Sequence, residues 1–156
     1  MRGAAQSLTG WASLGPLPVF DREDQVRIDV DAALAAISFG PEGLVAAIAQ
    51  QHDSGEVLMQ AWMNADAVRE TLTSGQVCYY SRSRRRLWRK GEVSGQTQTL
   101  KALLVDCDGD CLLLRVDQTG VACHTGHRSC FFTEIEAAGP REIAPVVIPP
   151  DQLYGL

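Results

Sequence analysis

No stretch of the chain is apolar for long enough to span a membrane, and no continuous apolar core precedes Gly15-Pro16, although Arg2 is there, so neither a membrane anchor nor a secretory signal is expected. No internal repeat is visible. The H-x-E and P-C-x-x-C pairings of the zinc nucleobase deaminases are absent, which argues against that chemistry. A calcium helix-loop-helix is excluded as well. Its loop needs glycine at the sixth position and glutamate at the twelfth, whereas a loop starting at Asp106 has Cys111 and Asp117 there. The five cysteines are odd in number and cluster among acidic residues, which suits metal binding in a reducing cytoplasm better than a disulfide framework.

What remains is a chain of 156 residues, 46% apolar and 21% charged, the composition of one soluble globular domain. Its net charge of −5 is unevenly spread. Arg82 to Lys90 holds six of the fourteen basic residues, leaving the rest of the chain at −11. A basic patch on an acidic protein suits a compact anionic ligand better than a long polyanion.

Residues 1–42 read as an extension with little structure, apart from a short helix over Val30 to Phe39 that Gly40-Pro41 ends. Residues 43–136 form the functional domain, and 137–156 a Pro-rich extended tail broken by Pro140, Pro145, Pro149 and Pro150. Within the domain, Leu44 to Gln50 and Val57 to Met63 flank a turn at His52 to Gly55 and predict a hairpin. Asn64 is placed to cap a helix from Ala65 to about Thr73, which Gly75 stops. Met59, Trp62 and Cys78 read as core residues. Val77 to Ser83, Gln98 to Val105 and Cys111 to Val116 have strand character. The expected class is α+β, mainly antiparallel sheet with one or two short helices.

Two kinds of metal ligand are interleaved between Asp106 and Cys130. Asp106, Asp108 and Asp110 are hard oxygen donors suited to magnesium, and Cys107, Cys123 and Cys130 are thiolates suited to zinc. In an extended chain alternate side chains leave opposite faces, so Asp106 and Asp108 point away from Cys107; Asp110, beyond Gly109, is not placed by this parity. The aspartates sit between Ala102 to Val105 and Leu112 to Leu114, and carboxylates crowded at the mouth of an apolar hairpin repel one another unless a cation lies among them. Three thiolates leave a fourth zinc position for water, as in catalytic sites; a closed structural site completed by Cys111, His124 or His127 is the alternative. In Arg82 to Gly95 cations, hydroxyls, Trp88 and glycines are mixed. Guanidinium groups clamp phosphates, and an aromatic ring can stack on a base.

These residues resemble the phosphoribosyl-AMP cyclohydrolases of histidine biosynthesis. The resemblance runs from about Leu44 to Glu134 and rests on Tyr80 to Arg84, Leu87 to Glu92, Ser94-Gly95, Asp106 to Asp110, Cys123 to Gly126 and Arg128 to Phe132. Val93 stands where threonine is usual, His127 where a residue such as asparagine or arginine is usual, and Cys111 where alanine is commoner. The resemblance implies a cytoplasmic homodimer that opens the adenine ring of 1-(5-phosphoribosyl)-AMP between N1 and C6 by a zinc-activated water. The product is the phosphoribosyl-formimino-aminoimidazole carboxamide ribonucleotide. It also implies zinc on Cys107, Cys123 and Cys130, with Cys107 given by the partner subunit, and magnesium on Asp106, Asp108 and Asp110. His124, beside a zinc ligand, is then the candidate general acid or base. Arg82, Arg84, Trp88, Lys90 and Ser94 are candidate substrate contacts for a nucleotide with two phosphates. Some relatives carry a second enzyme at the C-terminus; the short Pro-rich segment after Glu136 points to a monofunctional chain. The rival reading is a zinc-stapled nucleic-acid-binding module, which the acidic charge disfavours.

Overall fold

The computed structural model describes residues 28–155. The expected extension over 1–27 lies outside the described residues. Helix α1, Val30–Ala35, starts where the Asp29 side chain accepts a hydrogen bond from the Ala32 amide at 3.0 Å. It stops four residues earlier than the sequence predicts. The cause is tertiary: the Ser38 amide donates to the Gly109 carbonyl at 2.8 Å, and the Ser38 hydroxyl donates to the Asp108 carbonyl at 3.0 Å. The chain after α1 thus braces the acidic turn.

Strands β1, Val45–Gln51, and β2, Val57–Met63, pair antiparallel as the alternation predicts, with an irregularity between Ala49 and Gln50. Helix α2, Ala65–Ser74, follows. Asn64 accepts from the Ala67 amide at 2.9 Å, and Gly75, at φ 72°, adopts the left-handed conformation that closes the helix. Strands β3, Cys78–Ser81, and β4, Arg86–Arg89, form a separate hairpin. Strands β5, Gln98–Val105, and β6, Cys111–Gln118, pair antiparallel around the acidic turn.

The main sheet has the order β2-β1-β6-β5, and its central pair, β1 with β6, is parallel. The sheet is therefore mixed within the expected α+β class. A parallel partner requires a long crossover, which α2, the β3–β4 hairpin and β5 together provide. The core is built from Val45, Ala47, Leu58, Met63, Val68, Tyr79, Leu112 and Leu114, all essentially inaccessible. Cys78 is buried in it, as expected, and burial pushes its thiol up to about 11.

The Pro-rich segment is not simply extended. Its first residues form β8, Gly139–Glu142, which pairs in a hairpin with β7, Thr133–Glu136, at the end of the preceding domain, and it ends in a third helix, α3, Pro150–Tyr154. The physical reason lies in position, because proline at the first helical residue sacrifices an amide that has no intrahelical partner anyway. Pro150 occupies that place, and Gly155 closes the helix at φ 64°. Among the described residues no helix is long and apolar enough to cross a membrane.

Candidate active site

The cysteine loop rests on a buried polar network. Tyr79 donates to Gln98 Oε1 at 2.7 Å, Gln98 donates to Gln118 Oε1 at 2.8 Å, and Gln118 donates to the Val121 carbonyl at 3.2 Å. Gln51 Oε1 accepts from the Gln118 amide and from Arg128 Nη2. Every member finds a partner, so the network fixes one geometry instead of leaving buried groups unpaired. Arg128 also donates to the Gly120 carbonyl, while its bond to Gln51 ties the loop to β1. Nothing in the sequence distinguishes these glutamines from surface ones.

On this base the loop turns tightly. The Gly126 amide donates to the Cys123 carbonyl at 3.1 Å, and the Cys123 amide to the His127 carbonyl at 3.2 Å. Gly126 has φ +87°, and a β-carbon there would lie 1.9 Å from the Ile148 carbonyl oxygen. The Val147 and Ile148 amides both donate to the Gly126 carbonyl, so the C-terminal segment is strapped across the turn. Cys130 is held from the other side, its amide donating to Leu58 of β2 at 2.7 Å.

Cys123 and Cys130 meet in one cleft. Burial, then the adjacent Cys123, together push the Cys130 thiol up to about 12, with Lys90 acting in the opposite sense. A thiol in that range does not ionise at neutral pH by itself. A divalent cation beside the two sulfurs would reverse this, and the donor set suits zinc. Cys107 does not line the cleft; it is exposed on the turn between β5 and β6. Among the described residues neither Cys111 nor a histidine completes a three-ligand group with the pair.

The three aspartates do come together, with ligand atoms all within 4.8 Å of one another. Asp110, which parity leaves unplaced, joins the other two because Gly109 turns the chain at φ +84°; a β-carbon there would meet the Ala36 carbonyl and the Ser38 hydroxyl, each at 2.9 Å. The Cys111 amide donates to Asp106 at 3.1 Å and holds that carboxyl below the usual range. Asp110 is shifted the other way, because the charges of Asp108 and Asp106 lie beside it. Such crowding suits a hard cation.

The remaining candidates line the same cleft as the cysteine pair. His124 is exposed on its wall. Arg82 and Arg84 reach it from the loop after β3, and the Arg82 guanidinium lies 4.8 Å from the Trp62 ring centre. Trp88 and Ser94 also face the cleft. Lys90 is buried, its ammonium donating to the Ala122 carbonyl at 2.9 Å, and burial lowers its pKa against the pull of Cys130 and Cys123. Its charge thus serves the thiols as well as the cleft. Arg89 differs from its neighbours, since Glu70 takes its guanidinium at 2.5 and 2.8 Å.

Two features of the cleft are not read from the sequence. Trp62, expected in the core, is only half-buried and forms the cleft wall under Arg82, whereas Met59 is buried as expected. Its place on β2 beside Met63 made both look alike in an apolar strand. Leu153 and Tyr154 of α3 form another part of the wall. The Pro-Pro-Asp start of α3 and its closing glycine were the available signal.

The family described as phosphoribosyl-AMP cyclohydrolase matches residues 59–132. A protein of Paramagnetospirillum magneticum bearing that name is 64% identical over 127 residues, which cover 81% of this chain and 96% of the relative. One of Alkalilimnicola ehrlichii is 63% identical over 82% of this chain and 90% of its own. Another, of Alcanivorax borkumensis, is 59% identical, covering 83% of this chain and 91% of the relative. With identity of this level across nearly the whole of each relative, the chain belongs to the phosphoribosyl-AMP cyclohydrolase family.

Proposed function

We propose that this chain hydrolyses 1-(5-phosphoribosyl)-AMP in L-histidine biosynthesis, breaking the bond between N1 and C6 of the adenine ring. The carrying observation is the meeting of a thiol pair, an exposed histidine and the exposed Arg82 and Arg84 in one cleft. Water oxygen adds to C6, the C6–N1 bond breaks, and N1 receives a proton. The carbon that was C6 stays on the imidazole ring as the carboxamide carbon, and N1 is the leaving group.

Cys123 and Cys130 would hold zinc with Cys107 of a second copy of this chain. When bound, zinc supplies a Lewis acid that brings the pKa of a water down to about 7. His124 lies in the cleft next to Cys123 and is suited to carry the proton that ends on N1. Arg82 and Arg84, which are exposed, are suited to the two phosphates, and Ser94 to a phosphate or ribose oxygen. Trp88 offers an aromatic face to the base. Asp106, Asp108 and Asp110 would hold magnesium, an ion that retains waters and pairs with phosphate.

A sharing of zinc between subunits is supported by the exposure of Cys107 outside the cleft that holds the other two cysteines. Full-chain protein loaded with zinc and given phosphoribosyl-AMP and magnesium should open the purine ring, followed by absorbance. Cys123→Ser should abolish the change. Bound zinc without turnover would sink the reading, and salt-dependent nucleic-acid binding would then be measured.

A further inference from the structure

His127 is a buried histidine that the proposed chemistry leaves unused. It is 4% exposed, and its ring stacks in parallel on Phe132 with centroids 3.7 Å apart. Nδ1 lies 2.8 Å from the Thr125 hydroxyl, which in turn lies 2.9 Å from the sulfur of Cys123. Nε2 is buried with no hydrogen-bond partner among the described residues. Backbone contacts hold the two ends of this chain of atoms, because Cys123 and His127 bond across the turn and His127 bridges to Val146.

The proton inventory of this chain of atoms is restrictive. A threonine hydroxyl has one proton to give and lone pairs to accept with, and a neutral imidazole has one N–H. A cysteine that binds a metal is a thiolate and can only accept. Thr125 must then donate to the sulfur and accept from His127, so the imidazole proton belongs on Nδ1. The orphaned Nε2 agrees with this assignment. With the proton on Nε2, a buried N–H would lack an acceptor, a rarer and costlier defect than an idle lone pair.

We infer that His127 is a positioning residue, which donates from Nδ1 to Thr125 and so aims the Thr125 hydroxyl at the Cys123 sulfur. This rests on the reading that Cys123 binds zinc. The two other groups near the thiol pair act differently: Lys90 contributes charge through space, whereas the Thr125–His127 pair sets the direction of a hydrogen bond to one ligand. Partners that orient metal ligands in this way commonly change metal affinity by about tenfold or more when removed. Phe132 supports the arrangement by fixing the plane of the ring.

Two measurements on the full chain test the inference. Zinc affinity is read by competition with a chromophoric chelator for the wild type, Thr125→Val, His127→Leu, the double variant and His127→Asn, whose amide nitrogen can replace Nδ1–H. Each of the first two single changes should weaken zinc binding about tenfold, the double should be no worse than Thr125→Val, and His127→Asn should stay within about threefold of wild type. Unchanged affinity in Thr125→Val would overturn the inference, as would additive losses in the double variant. The second measurement is the nitrogen-15 spectrum of histidine-labelled protein, with the His127 signals assigned by their loss in His127→Asn. The Nδ1–H tautomer is expected, and Nε2–H would overturn the inference. A wild type that takes up no zinc would sink the zinc reading and this inference with it, whereas zinc uptake with the Nε2–H tautomer would sink the inference alone.

Discussion

Asp110 holds its proton more tightly than an isolated carboxyl because Asp108 and Asp106 are charged beside it. A carboxyl whose pKa is raised by folding favours the folded state while protonated, and that contribution is lost as the pH rises through the raised value. At neutral pH and without metal the Asp110 carboxylate therefore works against folding. Asp110→Asn should raise the Tm of metal-free protein at pH 7, and magnesium, which should raise the Tm of the wild type, should have little effect on the variant. Thermal unfolding with and without magnesium checks this, and equal shifts in both proteins would remove Asp110 from the cation site. Asp106 has the opposite sign: its lowered pKa gives stability present above the ordinary carboxylate range and lost as the pH falls. Gly126 supplies the second prediction at this scale. With φ +87° and the Ile148 carbonyl in the way of any β-carbon, Gly126→Ala should cost about 2 kcal/mol or more in urea unfolding. Residue chemistry was the legible part here. The two ligand types and the cations could be listed from the sequence, but the burial of Lys90 and the position of Trp62 depend on neighbours far away along the chain.

Among the elements, α2 and the β1–β2 hairpin were readable because their signals are local. Asn64 and Gly75 mark the two ends of α2, and Asn64→Ala should lower stability by about 1 kcal/mol with no change in fold, as measured by denaturant unfolding. The end of α1 and the parallel pairing of β1 with β6 were not readable, since each depends on contacts between distant segments: Ser38 with Gly109, and Ala46 with Cys111. The helix α3 was missed for another reason. Its prolines break a helix in the interior and open one at the first turn, and only position separates the two outcomes. Leu153 is 6% exposed and anchors α3 against the cleft. Leu153→Ala should therefore cost about 2 kcal/mol, and by loosening the wall it should raise KM for the nucleotide with kcat largely kept. Loss of stability with unchanged KM would mean that α3 has no part in shaping the site.

At the scale of the whole molecule, one chain holds all the proposed parts of the site, but not together. Cys123 and Cys130 share the cleft, while Cys107 is exposed on the acidic turn outside it. Among the described residues the surface also carries exposed apolar side chains: Ile135 is 80% exposed, and Phe131, Ile143, Val146 and Val147 are about half exposed or more. A second copy docked so that its Cys107 meets the cysteine pair would complete the ligand set. By two-fold symmetry it would also complete a second site. This arrangement makes a quantitative demand. Neither Cys107→Ser nor Cys130→Ser should be active alone, since each removes one ligand from both sites of its own dimer. In a mixed dimer the Cys107→Ser chain still provides Cys123 and Cys130, the Cys130→Ser chain provides Cys107, and one of the two sites is whole. After unfolding and refolding of an equal mixture, about half the dimers are mixed and each has one competent site, so about a quarter of the wild-type activity should return. Zinc content should recover in the same proportion. No gain of either on mixing would mean that all three ligands come from one chain, or, if Cys107→Ser is already loaded before mixing, that Cys107 is no ligand at all. Zinc content of the Cys107→Ser protein by itself separates those two cases, because it is retained only in the second.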